Sequence, residues 1–169
     1  MNTKVVTVDK KNPDNEALQE AGEILKRGGL VAFPTETVYG LGGDGLNPDS
    51  SRKIYAAKGR PSDNPLIIHI ADMDSLGKLV TQVPGKARKL AERFWPGPLT
   101  MIFQKSREVP YETTGGLESV AVRMPSHPVA LALIRAGGGY VAAPSANTSG
   151  RPSPTKAEHV VEEIGRAHV

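Results

Sequence analysis

Lys58-Gly59-Arg60-Pro61-Ser62-Asp63-Asn64-Pro65-Leu66-Ile67-Ile68-His69-Ile70-Ala71 is the stretch from which the fold can be read. Its second half, LIIHIA, is a short apolar run entered from a turn-rich segment, the pattern of a buried strand. Its first half sets two cations one residue apart, then an amide, in a segment that carries two prolines. Proline holds φ near −65° and biases the residue before it toward extended backbone. Lys58, Arg60 and Asn64 are therefore carried on a stiffened loop. A K-x-R alone also describes a solvated turn. Direct entry into a buried strand favours a preorganised anion site instead, because core-anchored loops hold binding groups in place.

Outward from this stretch, strand and helix signals alternate. The pattern predicts a strand at 4–8 (KVVTV) and a helix from Asp14 as cap to Lys26, ended by Gly28-Gly29. A short buried strand follows at 30–33, stopped by Pro34. A second helix starts at Asn47-Pro48 and ends near Lys58-Gly59. Beyond the strand at 66–71 come helical pieces at 74–80 and 85–94, then a Pro-Gly turn (FWPGPLT) feeding a strand at 99–104. A strand at 119–124 (SVAVRM), a helix at 128–135, a strand at 140–143 and a last helix from about Thr155 to Ile164 complete the pattern. Short apolar strands need cover on both faces, which makes this α/β. Several connections are too short for helical crossovers, so the sheet is expected to be mixed. The chain stops soon after a helix, where a further strand would be natural; the expectation is one domain over 1–169, shortened at its C-terminal end.

Composition narrows the function classes. At 169 residues the chain can bury a core without staples. It has no cysteine, which excludes disulfides, thiolate metal sites and a Cys nucleophile. The longest apolar run, 129–134, is far short of the roughly 18 residues that would span a bilayer. The N-terminus lacks the apolar core of a signal peptide. A cytoplasmic protein with no membrane partner is expected. The net charge of +3 is compatible with anionic ligands or RNA and argues for neither.

Several motifs are decoys. Gly40-x-Gly42-x-x-Gly45 matches a dinucleotide fingerprint, but Leu46-Asn47-Pro48 separates it from the next helix, whereas the fingerprint opens one directly. No G-x-x-x-x-G-K-[ST] is present. Ser50-x-x-Lys53 and Ser62-Asp63-Asn64 echo acyl-serine enzymes but lie too close together, with no K-T-G after them. His69, His127, His159 and His168 show no metal-site spacing, and no protein-held metal is expected.

Three further segments carry chemistry. Pro34-Thr35-Glu36-Thr37-Val38-Tyr39-Gly40 sets two hydroxyls and a carboxylate on irregular backbone after a buried strand. Arg123 lies inside a strand, where arginine is almost never buried unpaired; at a strand end it would clamp a carboxylate. His69, also in a strand, is more often a satisfied core residue than a ligand. Pro144-Ser145-Ala146-Asn147-Thr148-Ser149-Gly150-Arg151-Pro152-Ser153 follows a strand and is dense in hydroxyls and amides, as suits phosphate or nucleotide binding.

Together GGLVAFPTETVYGLG, KGRPSDNPLIIHI, FWPGPLT, SVAVRMPSHP and PSANTSGRPSPT resemble the YrdC-like family, the threonylcarbamoyl-AMP synthases, from about residue 12 onward. The likeness is to the longer bacterial and archaeal type, and the expectation is that the further C-terminal domain of that type is absent here. The resemblance implies a twisted mixed β-sheet flanked by helices with a concave ligand pocket. It also implies ATP-dependent synthesis of threonylcarbamoyl-AMP from L-threonine and bicarbonate, with release of pyrophosphate and Mg2+ accompanying ATP. The product would serve threonylcarbamoyladenosine modification of tRNA, with tRNA and the downstream transfer machinery as partners. By resemblance, Lys58 and Arg60 are the catalytic cations on the ATP phosphates, with Asn64 beside them. Ser119, Ser145, Asn147 and Ser153 line the nucleotide, and Thr35, Thr37, His69 and Arg123 the threonine, Arg123 taking its carboxylate. Lys58→Ala or Arg60→Ala is then expected to abolish adenylate formation and leave the fold intact. Family members continue past this chain into a Ser near threonine and an Arg near the nucleotide, so weak activity or none is expected of this length. The alternative from another class is an RNA-binding module of the same fold without catalysis.

Overall fold

The computed structural model describes residues 3–13 and 15–165. Along the chain run α1 (Asn15–Lys26), β1 (Val31–Phe33), β2 (Gly40–Asp44), α2 (Pro48–Lys58), β3 (Ile67–His69), α3 (Leu76–Leu79), α4 (Gly85–Phe94), β4 (Thr100–Gln104), α5 (Tyr111–Thr114), β5 (Ser119–Arg123), α6 (Pro128–Ala136), β6 (Val141–Ala142) and α7 (Ala157–Glu163). The strands form one sheet in the order β1-β2-β6-β3-β5-β4. Only β3 and β5 pair in parallel, so the sheet is mixed, as expected.

Local chemistry accounts for the element ends. Asn47 accepts a hydrogen bond from the Asp49 N–H at the start of α2, with Pro48 at the first helical position. Gly59, in the left-handed region at φ 59°, ends that helix and turns the chain into the cationic loop. Asp72 caps the α3 turn through the Ser75 N–H and hydroxyl.

Strand register assigns the two faces of the sheet. Leu41, Gly43, Ala142, Ile68, Val122 and Met101 point to one face, which α2, α3, α4 and α7 cover. Phe33, Val141 and Ala143 point to the other, where α1 and α6 pack on them. The α1–α6 layer stops at β6. Ile67, Ala121 and Ser119 on the outer strands of that second face stay only partly buried. This uncovered half is where the functional candidates gather.

The structure corrects parts of the sequence reading. Residues 4–8 form no strand: Val5 and Val6 are exposed and Lys4 pairs with Glu20 of α1 at 2.7 Å. Alternation there matched a strand, but the segment lies along a helix and has no strand to pair with. The expected Asp14 cap lies outside the described residues, as does His168. Two elements were not anticipated, the short α5 and the strand β2. The sequence of β2, GLGGD, lacks the β-branched residues that mark strands. Its glycines answer to packing: a Cβ on Gly42 would stand 2.8 Å from the Phe33 ring and 2.9 Å from Val141. The apparent dinucleotide fingerprint is thus a strand pressed between neighbours.

Candidate functional site

The β3–β5 register sets His69 beside Arg123 and Ile67 beside Ala121. Ser119, Ala121 and Arg123 share a face by the two-residue period of a strand. Arg123 stands at one end of that row and Ser119 at the other, about 13 Å away at strand rise. The sequence-predicted residues divide between these two ends.

At the Arg123 end, the β1–β2 loop folds across the sheet face. Thr35 braces it, its Oγ1 donating to the Val38 carbonyl at 2.6 Å and accepting from the Thr37 N–H. Arg123 is buried and donates from Nε to the Gly97 carbonyl, held out by the FWPGPLT turn, at 3.2 Å. Both terminal nitrogens reach the Thr37 hydroxyl at 3.4 Å. One of them also donates to Glu36 Oε1 in an ion pair. Glu36 Oε2 accepts from the Ser126 N–H and from its hydroxyl at 2.6 Å. Burial works against an ionised Glu36, but the Ser126 bonds and the Arg123 charge outweigh it and hold its carboxyl below the usual range. The pairing expected of a buried arginine is therefore present, and its partner is a carboxylate of the protein. Glu36 and Ser126 are members of the site that the sequence does not mark, because a Glu in a Thr-rich turn gives no sign of its distant partner.

His69 is 3% exposed, with Nδ1 3.2 Å from the Ile67 carbonyl and its ring edge-on to Phe33. Burial, and then the Arg123 charge, push its pKa down to about 4, so the ring is neutral at ordinary pH. It backs the site from the core.

At the other end, α2 and the segment after β6 knit together. Lys58 is 1% exposed, and its Nζ donates to the carbonyls of Ser145 and Asn147. The Lys58 carbonyl in turn accepts from the Ser149 N–H at 2.8 Å. Burial and the neighbouring Arg60 charge lower the Lys58 pKa to about 8. Two of its three donors are committed to the protein. Lys58 therefore holds the loop as well as offering charge, so its removal is expected to cost stability as well as charge. Arg60 likewise grips its own loop, donating to the carbonyls of Asn64 (3.2 Å) and Pro65 (2.9 Å). Asn147 donates to the Thr148 and Arg151 carbonyls, while its buried Oδ1 has no partner. Ser145 bridges to Gly40, and Pro154 accepts from the Tyr39 N–H, so the segment at 144–154 also braces the β1–β2 loop. Ser153 is exposed beside it.

Lys58, Asn64, Ser119 and Ser145 collect at the end of the sheet where the chain enters β3; Thr37, His69 and Arg123 meet at the other. The Ser50-x-x-Lys53 echo does neither. Ser50 is buried with an unpartnered hydroxyl, and Lys53 donates to the Gly28 carbonyl. Among the described residues no group of three or more His, Cys, Asp or Glu could hold a metal ion.

The Sua5/YciO/YrdC family model, described as telomere recombination, matches residues 23–168. The chain belongs to the Sua5/YciO/YrdC family. It is 53% identical over 161 residues to a threonylcarbamoyl-AMP synthase of Bacillus subtilis, covering 95% of this chain and 46% of that protein. It is 56% identical over 144 residues to a threonylcarbamoyl-AMP synthase of Pyrococcus abyssi, covering 85% and 42%. Its fold superimposes on a crystal structure of P. abyssi Sua5 complexed with L-threonine with a TM-score of 0.92 and 50% identity, over 95% of this chain and 47% of that one. The chain thus spans a little under half the length of these relatives. As a member of the family it has the mixed, helix-flanked sheet that its motifs implied. No described helix is long and apolar enough to cross a membrane.

Proposed function

We propose that this chain carries the adenylate-forming site of a threonylcarbamoyl-AMP synthase. The observation that supports it most is the two-ended row on one half-open sheet face. Candidates for the amino acid stand at the Arg123 end, and candidates for the nucleotide stand where the Lys58 to Asn64 loop enters the sheet.

Bicarbonate and the neutral amine of L-threonine would form a carbamate with loss of water. A carbamate oxygen would then attack the α-phosphorus of ATP, and pyrophosphate would leave from the bond that breaks. Arg123 and the Thr37 hydroxyl would hold threonine, with Thr35 stiffening their loop and neutral His69 behind them. Lys58, Arg60 and Asn64 would face the phosphates, and Ser119, Ser145, Asn147 and Ser153 the rest of the nucleotide. The unpartnered Asn147 Oδ1 suits a donor group. Mg2+ would arrive as the counter-ion of ATP, since the described residues offer it no carboxylate cage. Such a site accelerates by position and charge, with no covalent nucleophile. The product would supply threonylcarbamoyladenosine formation in tRNA through a separate transfer step.

Pyrophosphate release decides the matter. Release that requires both threonine and bicarbonate supports the assignment. Release that serine supports equally, or that needs no amino acid, overturns it.

A further inference from the structure

Strand β4 ends the sheet, and its outer edge is covered only in part. The Thr81 N–H donates to the Gln104 carbonyl, and Val80 bridges Lys105. Gln104 therefore points its backbone away from β5, and by the two-residue period Ile102 does the same. The outward N–H and C=O of Ile102 meet no backbone partner among the described residues. Its side chain is 72% exposed. The sequence of β4, TMIFQ, contains neither charge nor proline, the usual guards of an open edge.

A groove runs beside this edge, lined by Lys86, Ala87 and Leu90 of α4 and by Met101, Ile102 and Phe103 of β4. Leu90 and Phe94, one helical turn apart, are 44% and 49% exposed. Lys86 and Arg93 lie on that same helical face, and α4 carries Lys86, Arg88, Lys89 and Arg93 against the single acid Glu92. The rim is cationic, which disfavours a second copy of the chain and favours an anionic partner. A nucleic acid would satisfy the charge but not the open strand edge or the aliphatic groove.

We infer that the β4 edge is a docking site for an extended acidic polypeptide segment. The segment adds as a further strand, places apolar side chains over Ile102 on one face and into the Leu90 groove on the other, and answers Lys86 and Arg93 with carboxylates. The inference stands apart from the proposed chemistry, since no residue in it belongs to that site.

The probe is a dye-labelled octapeptide, Asp-Glu-Val-Ile-Val-Ile-Glu-Asp, titrated into the 15N-labelled chain. Amide shifts confined to residues 86–94 and 100–104 are expected. Ile102→Pro removes the outward N–H, which an edge strand tolerates, together with the exposed Ile side chain the segment would cover, and should weaken binding about tenfold or more. Lys86→Glu with Arg93→Glu, a surface change that keeps the fold, should do the same. Circular dichroism of both variants should match the parent. The proposal is overturned if shifts fall elsewhere, if neither variant changes affinity, or if a Lys-ended version of the peptide binds equally well. It is also overturned if a twelve-nucleotide single-stranded RNA takes the same residues more tightly, or if sedimentation shows this face buried between two copies.

Discussion

At the scale of single residues, the arginine meant for a ligand already holds a carboxylate. Glu36 spans Arg123 and Ser126, so a bound carboxylate must share the guanidinium with it or displace it. Removing either partner leaves the other charge without its counter-ion. Glu36→Gln and Arg123→Ala should each lower unfolding free energy by about 1–3 kcal/mol, and a double-mutant cycle in urea should show coupling above about 1 kcal/mol. Additive effects would mean the pair is incidental. Arg123→Ala should also weaken threonine binding by about 2–3 kcal/mol, read by calorimetry. His69 gives a pH signature. Its folded pKa of about 4 lies below its ordinary 6.5, so the unfolded chain binds more protons between the two. Stability is then full above pH 6.5 and falls progressively toward pH 4. His69→Gln should flatten that slope in a melting series.

At the scale of elements, Lys58 joins the end of α2 to the segment after β6 through two carbonyls. Lys58→Ala leaves a buried and a partly buried acceptor without this donor, so a stability loss of about 1–3 kcal/mol should accompany lost activity. Unchanged melting would restore a purely ligand-facing lysine. Its lowered pKa of about 8 sets two opposite trends. Adenylate formation should decline as pH rises through about 8 and the ammonium is lost. The folded chain favours the neutral amine more than the unfolded chain does, so this group's contribution to stability rises between pH 8 and 10.5. A pH–rate profile beside a pH–melting series separates the two. The strand β2 makes the same lesson in packing. Gly42→Ala forces a methyl into the Phe33 ring and Val141 and should cost about 1–3 kcal/mol, visible as a lower urea midpoint.

At the scale of the molecule, threonine should shift amides near Thr37 and Arg123, and ATP those from Lys58 to Asn64 and at Ser145 to Asn147. If either ligand perturbs both ends equally, the two-ended face is the wrong description. Local chemistry made most elements legible in the sequence. Pro48 and Gly59 bracket α2, Gly85 to Phe94 is helical as its pattern predicts, and the IIH core of LIIHI and SVAVR are strands because short apolar runs between turn residues have few other uses. The candidate residues were legible as types: cations just before a proline-stiffened loop, hydroxyls after strands, an arginine too buried to stand alone. What the sequence could not hold was partnership at a distance. Glu36 and Arg123 are 87 positions apart, and Lys58 and Ser145 are equally far apart. Local propensity carries no information about such pairs, because their energy exists only once the sheet has placed both groups. The same reason explains residues 4–8, a strand by pattern that found no neighbour, and β2, glycines by pattern that became a strand. By itself the sequence determined which residues can make a mixed, helix-flanked sheet and which can meet anions. Only the tertiary structure decided which cations already hold the protein together, since burial and desolvation are properties of the assembled fold.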